Sequence, residues 1–311
     1  MSVRKFSMAL GVDVGGTRTK VGLVSLAEGR VLAMEVFPTV TRDGVKFLSR
    51  LQTCVRPLLR RANALSGKVL GLGIGVPGYV REGVVDTTWG FLPFMEDYPL
   101  LALLSKKTGL PCRVDNDARL VGLGEAVYGA GKGSHRCLTV TLGTGVGLGL
   151  IVDGKFPDED PCGHMGGHMR IREKGPACYC GQAGCFEALV SSSALVKSSR
   201  GMATPESVFQ AALRGDRSAV QAVNGFLEAL AVGLNNFTLL WAPDVLVLAG
   251  GLSNALGPYL PRLRSSLKAK VHKSYRVEIE LSSLREAAGI LGAARLAGMS
   301  LKRVGKQATE G

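Results

Sequence analysis

A strand, a glycine turn and a second strand occur twice in this chain, and that repeat limits the possible folds more than any other feature. The first copy runs MALGVDVGG then TKVGLVSL, with RVLAMEVF following as a third strand. The second is CLTVTLGTGVGLGLIVDGK, residues 137 to 155. Both alternate apolar residues at a period of two, the pattern of a half-buried strand, around a turn rich in glycine. Gly15 and Gly143 open the two turns, 128 positions apart. One such hairpin per half implies a duplicated α/β architecture.

The segments between and after the hairpins fit that frame. At 311 residues the chain suits two domains of ordinary size, and with 46% apolar but only 6% aromatic residues its core rests on Val, Leu, Ala and Ile. Asp43 to Ala64 reads as an amphipathic helix, bent at Pro57, and Lys68 to Val76 as a buried strand ending at Pro77-Gly78. Leu100 to Gly109 is a helix closed by glycine, Cys112 to Val114 a short strand, and Asp117 to Tyr128 a helix that starts where that strand ends. Helices fill Ala188 to Ala242. A strand at Val245 to Leu248, ending in Ala249-Gly250-Gly251, and another at Val277 to Leu281 precede a last helix, Ala287 to Leu296.

The first hairpin turn carries chemistry as well as shape. Asp13-Val-Gly15-Gly16-Thr17-Arg-Thr-Lys20 offers backbone N–H groups that an anion can approach closely, a hydroxyl at Thr17 and a charge at Lys20. Asp13 beside phosphate is explained if Mg2+ lies between them, since that ion takes oxygen ligands and keeps its waters. The second turn repeats the backbone offer with Gly143-Thr144-Gly145 and Gly147. Either alone reads equally well as a plain hairpin; the pair reads as a clamp for a polyphosphate. No G-x-x-x-x-G-K-[ST] occurs. Gly73-Ile-Gly75-Val-Pro-Gly78 matches G-x-G-x-x-G, but residues 79 to 92 read as strand and turn where a dinucleotide fold needs a helix.

Asp117, in Val114-Asp115-Asn116-Asp117-Ala118, is the candidate general base, because ligands of open α/β sheets bind where a strand ends and a helix begins. The structural alternative is that Asp115 or Asp117 only caps the helix. A second cluster lies at 168 to 185, where His168, Cys178, Cys180 and Cys185 suit a closed tetrahedral zinc site with no position open for catalysis. Cys162 and His164 read as a small buried thiol and a surface imidazole. Glu187 follows the last cysteine by two residues, and a metal-stapled loop would turn it from a surface charge into a ligand contact.

Together DVGGTRTK at 13 to 20, NDA at 116 to 118, TLGTGVGLGLIVDGK at 141 to 155, GHM with CYCGQAGCFE, VLAGGLS at 247 to 253 and LGAARLA at 291 to 297 resemble the ROK family of sugar kinases over nearly the whole chain. The resemblance implies an actin-like, hexokinase-type ATPase: two ribonuclease-H-like α/β domains around a cleft, with the final helix returning to the first. It divides the chain into 1–117 with about 297–311, and 118–296. ATP-Mg2+ would lie against Asp13, Gly15, Gly16, Thr17 and Lys20 and against Gly143, Thr144, Gly145 and Gly147, with the adenosine near Gly250 and Gly251. Asp117 would be the base. Asn116, His168, Glu187, Gly75, Pro77, Gly78 and Trp89 would line a hexose or amino sugar that receives phosphate, at its C6 hydroxyl. Two positions depart from the pattern: Met165 stands where a sugar-binding glutamate is usual, and Trp89 or Phe91 where an asparagine is. Both changes favour stacking on a sugar face or a less polar substituent.

Net charge, at +13, raises the question of nucleic acid, but the basic residues are scattered and no aromatic residues interleave with them. A sugar-responsive repressor would need a helix-turn-helix module, and only about a dozen residues precede Asp13. A non-catalytic sugar binder is opposed by the intact Asp13, Asn116 and Asp117. The apolar run at the N-terminus breaks at Asp13, so no signal peptide or membrane span is expected, and seven cysteines, mostly clustered, argue for a reducing cytoplasm. The family resemblance also implies a homodimer.

Overall fold

The computed structural model describes residues 7–81, 84–86, 92–96, 98–157, 163–270 and 276–299. Trp89, Phe91 and Cys162 lie outside the described residues. The elements follow the sequence closely: β1 (Ser7–Val14), β2 (Arg18–Ser25), β3 (Arg30–Pro38), α1 (Gly44–Ala64), β4 (Lys68–Val76), β5 (Tyr79–Arg81), β6 (Val84–Asp86), α2 (Leu100–Thr108), β7 (Cys112–Asn116) and α3 (Asp117–Tyr128). Then come β8 (Arg136–Leu142), β9 (Val146–Val152), α4 (Glu187–Val190), α5 (Ser192–Ser198), α6 (Pro205–Leu213), α7 (Arg217–Trp241), β10 (Val245–Ala249), α8 (Leu260–Lys270), β11 (Glu278–Leu281) and α9 (Ala288–Gly298). Local signals explain several boundaries. Asp43 caps α1 by accepting from the Lys46 N–H at 2.9 Å, and Gly109 closes α2 in the left-handed conformation at φ +70°.

Two main sheets form, in the orders β3-β2-β1-β4-β7 and β11-β10-β8-β9, and β5 pairs with β6 as a small two-stranded sheet. Each main sheet contains one glycine hairpin as an antiparallel pair, β1 with β2 and β8 with β9, beside parallel strands. One face of the first sheet packs Leu10, Val12, Leu72 and Ile74 against Phe47, Leu51 and Leu58 of α1. One face of the second packs Leu138, Val140 and Leu148 against Phe226, Leu230 and Phe237 of α7.

The opposite faces meet a shared pair of helices. Leu120 and Leu123 of α3 join Ile151, Val247 and Ala293 in one cluster, and Ile290, Leu291 and Ala294 of α9 join Ala9 and Val24 in another. The first-sheet strands reach α9 by being bare on that face. A Cβ at Gly11 would fall 2.0 Å from the Ile290 carbonyl oxygen, and one at Gly73 would fall 1.8 Å from that of Ala293. The G-x-G match at Gly73 and Gly75 is therefore a packing surface, and β5 and β6 follow it as strands instead of a nucleotide-binding helix. By the alternation of β1, Ala9, Gly11 and Asp13 share the α9 face, which brings the carboxylate of Asp13 out beside the start of α9.

Candidate active site

The helix α3 begins between the two hairpins. Its cap is Asn116, whose side-chain oxygen accepts from the N–H groups of Ala118 at 3.0 Å and Arg119 at 3.2 Å. Asp115 instead pairs with Arg119 at 2.9 Å, and the Arg119 guanidinium lies 4.5 Å above the Phe156 ring. The capping alternative for Asp115 and Asp117 thus gives way to Asn116, the better-placed residue. Asp117 accepts from the Ala118 N–H at 2.8 Å. Asn116 also donates from its amide to the Gly78 carbonyl at 3.0 Å, which fixes the turn after Pro77 beside the start of the helix. Gly75 lies close beneath it, since a Cβ there would be 3.1 Å from the Leu120 side chain and 3.4 Å from the Asp117 Cα.

On one side of Asp117 stands the first hairpin. Asp13 pairs in register with Lys20 across the strands, and Gly75 flanks it on β4. Burial raises the Asp13 carboxyl above the usual carboxylate range, Lys20 opposes that rise, and Glu286 adds to it. Burial, and then the charge of Asp13, push Asp117 up to about 6. A buried carboxylate raised further by a neighbouring negative charge is the arrangement that poises a base near neutrality. The turn closes with the Gly15 N–H on the Arg18 carbonyl at 3.1 Å, leaving Gly16 and Thr17 exposed at its tip.

On the other side is the second hairpin. A Cβ at Gly147 would lie 2.4 Å from the Ala118 Cβ and 3.1 Å from the Thr141 hydroxyl, so only glycine lets the helix start so near the strand. The turn closes with the Gly143 N–H on the Gly145 carbonyl at 3.0 Å, with Thr144 exposed between them. Gly250, at φ +85°, abuts the Leu142 carbonyl, and Gly251 begins the next turn. Both therefore border the same hairpin.

Glu187 is only 6% exposed, so the surface-charge alternative fails. Its carboxylate accepts from the Val146 N–H at 2.7 Å, directly joining the cysteine loop to the second turn. The ligand atoms of His168, Cys178, Cys180 and Cys185 all lie within 4.8 Å of one another. The Cys180 and Cys185 sulfurs are 3.6 Å apart, and the Cys178 sulfur is 3.5 Å from His168 Nδ1. Those spacings fit the edges of a tetrahedron whose metal–sulfur bonds are about 2.3 Å. Burial lowers the His168 pKa against the pull of Glu187, favouring the neutral imidazole that a metal requires.

One pairing was not legible in the sequence. His164, expected at the surface, is half-buried and stacks on Tyr79 with ring centroids 6.0 Å apart at 17°. It sits in the same 3-10 turn, Gly163–His168, as His168 and Met165. Tyr79 directly follows Gly78, so the stack spans the two halves next to Asn116.

The family model that describes the ROK family matches residues 9–299. The chain belongs to the ROK family. It is 31% identical over 310 residues to a glucokinase from Thermotoga maritima, covering 92% of this chain and 96% of that one. It is also 31% identical over 270 residues to an N-acetylmannosamine kinase from Vibrio cholerae, covering 84% and 89%. Among solved structures, a ROK-family glucokinase from Streptomyces griseus in complex with glucose and AMPPNP superposes with a TM-score of 0.77 at 28% identity, covering 94% of this chain and all of that one. The expected two-domain, actin-like ATPase fold is the fold of these neighbours.

Proposed function

We propose that Asp117 is the general base through which this ROK-family sugar kinase passes the γ-phosphoryl group of ATP to a hexose or hexose derivative, at the C6 hydroxyl. The observation that carries the reading is the position of Asp117: it heads α3, with Asp13 of one hairpin on one side and the Ala118–Gly147 contact with the other hairpin on the other. Asp117 takes the proton of the attacking hydroxyl, and its raised pKa keeps it basic enough to do so while still ionised at neutral pH. Backbone N–H groups of Gly16 and Thr17 and of Thr144 and Gly145, at the tips of the two turns, receive phosphate oxygens, with Lys20 adding charge, and Gly250 and Gly251 border the adenosine. Phosphoryl transfer depends mainly on such positioning and charge neutralisation.

Asp13, a buried carboxylate facing a lysine at the mouth of the phosphate turn, fits a hard cation. Mg2+ held there would supply neutralisation of the phosphate charge. His168, Cys178, Cys180 and Cys185 fit structural zinc, which would brace the loop carrying Glu187. Asn116, Glu187 and His168, with Gly75, Pro77 and Gly78, would form the sugar side. The Tyr79–His164 stack, beside Met165, favours a second substrate class, the N-acetylhexosamines, whose acetamido group packs on aromatic walls better than a hydroxyl does. A cytoplasmic location and a homodimer complete the proposal. The exposed Leu239 and Leu240 at the end of α7, 55% and 64% accessible, are the apolar surface that supports self-association. Among the described residues no helix is long and apolar enough to cross a membrane.

A coupled ADP-release screen over hexoses, aminosugars and N-acetylhexosamines tests the reading. Turnover on at least one sugar is expected, and inactivity across the panel with ATP and Mg2+ present would overturn it.

A further inference from the structure

Lys20 of the first hairpin already has an anion on it. Its ammonium lies 3.1 Å from the carboxylate of Glu286, a residue 266 positions away, with the two side chains 17% and 81% exposed. The aim of Glu286 is built into the fold. It sits in the turn between β11 and α9, which is pinned by Glu125, a fully buried carboxylate on α3. Glu125 accepts from the Ser282 hydroxyl and from the N–H groups of Ser283 at 3.4 Å and Leu284 at 3.2 Å. Arg285 is held at φ +50°, a left-handed conformation that costs a non-glycine residue energy, and its N–H donates to the Ser282 hydroxyl at 2.8 Å.

This pinned turn also opens onto Asp13. A Cβ at Gly289, in the first turn of α9, would lie 3.0 Å from the Asp13 carboxyl carbon. Asp13 in turn pairs in register with Lys20. Lys20 is thus flanked by two carboxylates from different elements. Hydrogen bonding and attraction to Lys20, with a smaller pull from Arg18, hold Glu286 below the usual carboxylate range, so it is ionised at neutral pH.

We propose that Glu286 occupies the cationic face of the first hairpin until a nucleotide arrives, and that its charge makes nucleotide affinity depend on a divalent cation. The proposal rests on the reading of that hairpin as the polyphosphate site. A phosphate oxygen approaching Lys20 must displace Glu286 and then sits beside two carboxylates of its own sign. A divalent cation bound with the nucleotide offsets that repulsion, and a bare nucleotide has no such offset. Glu286 is 81% exposed, so the displacement and the repulsion left behind are each modest terms, of comparable size.

Calorimetric titration of the full chain tests this, using ADP with EDTA and ADP with Mg2+ as the two probes. In Glu286→Gln, binding of metal-free ADP tightens by about fivefold while binding of Mg-ADP changes by no more than about twofold. The selective gain shrinks by at least half when Lys20→Met is added, since Glu286 then has no lysine to occupy. Equal effects on both probes, or the same gain in the Lys20→Met background, would overturn the proposal. So would weakened Mg-ADP binding alone, which would make Glu286 a partner of the metal instead of a stand-in for phosphate. If the wild-type chain bound neither probe, the polyphosphate reading itself would fall. Glu286 is exposed and outside both cores, so Glu286→Gln folds, and an unchanged thermal melt checks that.

Discussion

The two hairpins share a backbone and differ in where their charge comes from. The first holds its own, with Asp13 and Lys20 facing each other across β1 and β2. The second, TLGTGVGLG, has none and is reached by Glu187, which bonds to its Val146 N–H from the far end of the cysteine loop. A hairpin with built-in charge can hold a metal and phosphate without help from elsewhere. The uncharged copy depends on the loop, and the loop depends on its His and Cys cluster. Substitutions in the first hairpin should therefore damage nucleotide and metal handling, and changes in the cluster should damage the sugar side.

Asp13→Asn breaks the charged copy. It should lower kcat by about a hundredfold and raise the Mg2+ concentration needed for half-maximal rate, read in steady-state assays at varied metal. Serine at Cys178 and Cys180 breaks the support of the uncharged copy. Zinc content, measured by atomic absorption, should fall from about one ion per chain to none, and sugar KM should rise about ten- to a hundredfold while ADP affinity holds. Equal losses of sugar and nucleotide affinity would erase the contrast between the hairpins.

The link between the copies is tested by pH. Asp117 must be ionised to accept a proton, and burial together with Asp13 raises its pKa to about 6. Below that value kcat/KM should fall about tenfold per unit, and above it should level off. Asp13→Asn removes one of the two causes, so the acid limb should move to lower pH. The smallest effect belongs to Gly147→Ala. The added methyl would lie 2.4 Å from the Ala118 Cβ, so the start of α3 must shift by about 1 Å to restore normal contact, with a severalfold loss in kcat and a lowered melting temperature.

Much of this arrangement is local and was readable. Alternating apolar residues and glycine turns mark both hairpins because a strand's side chains have a period of two, and three cysteines within eight residues mark the His and Cys cluster. Other parts depend on contacts between distant residues. Nothing near Glu286 says that it meets Lys20, and nothing near Tyr79 says that it stacks on His164. Glu125 reads as an ordinary helix charge until β11 and α9 place three donors around it. The glycines of β4 show the opposite problem: Gly73 and Gly75 resemble a phosphate motif, yet serve to let α3 and α9 approach the sheet. The cap of α3 was placed at either neighbouring aspartate, and only the hydrogen bonds identify Asn116.

The most direct measurement compares wild type with Asp117→Asn in two assays on the same preparations, binding of sugar and of ADP by calorimetry and sugar-dependent ADP release. If Asp117 is the base, both ligands bind the variant within a few fold of wild type while kcat falls by about a hundred- to ten-thousandfold. An Asp117→Asn variant that turns over sugar at the wild-type rate would contradict the assignment.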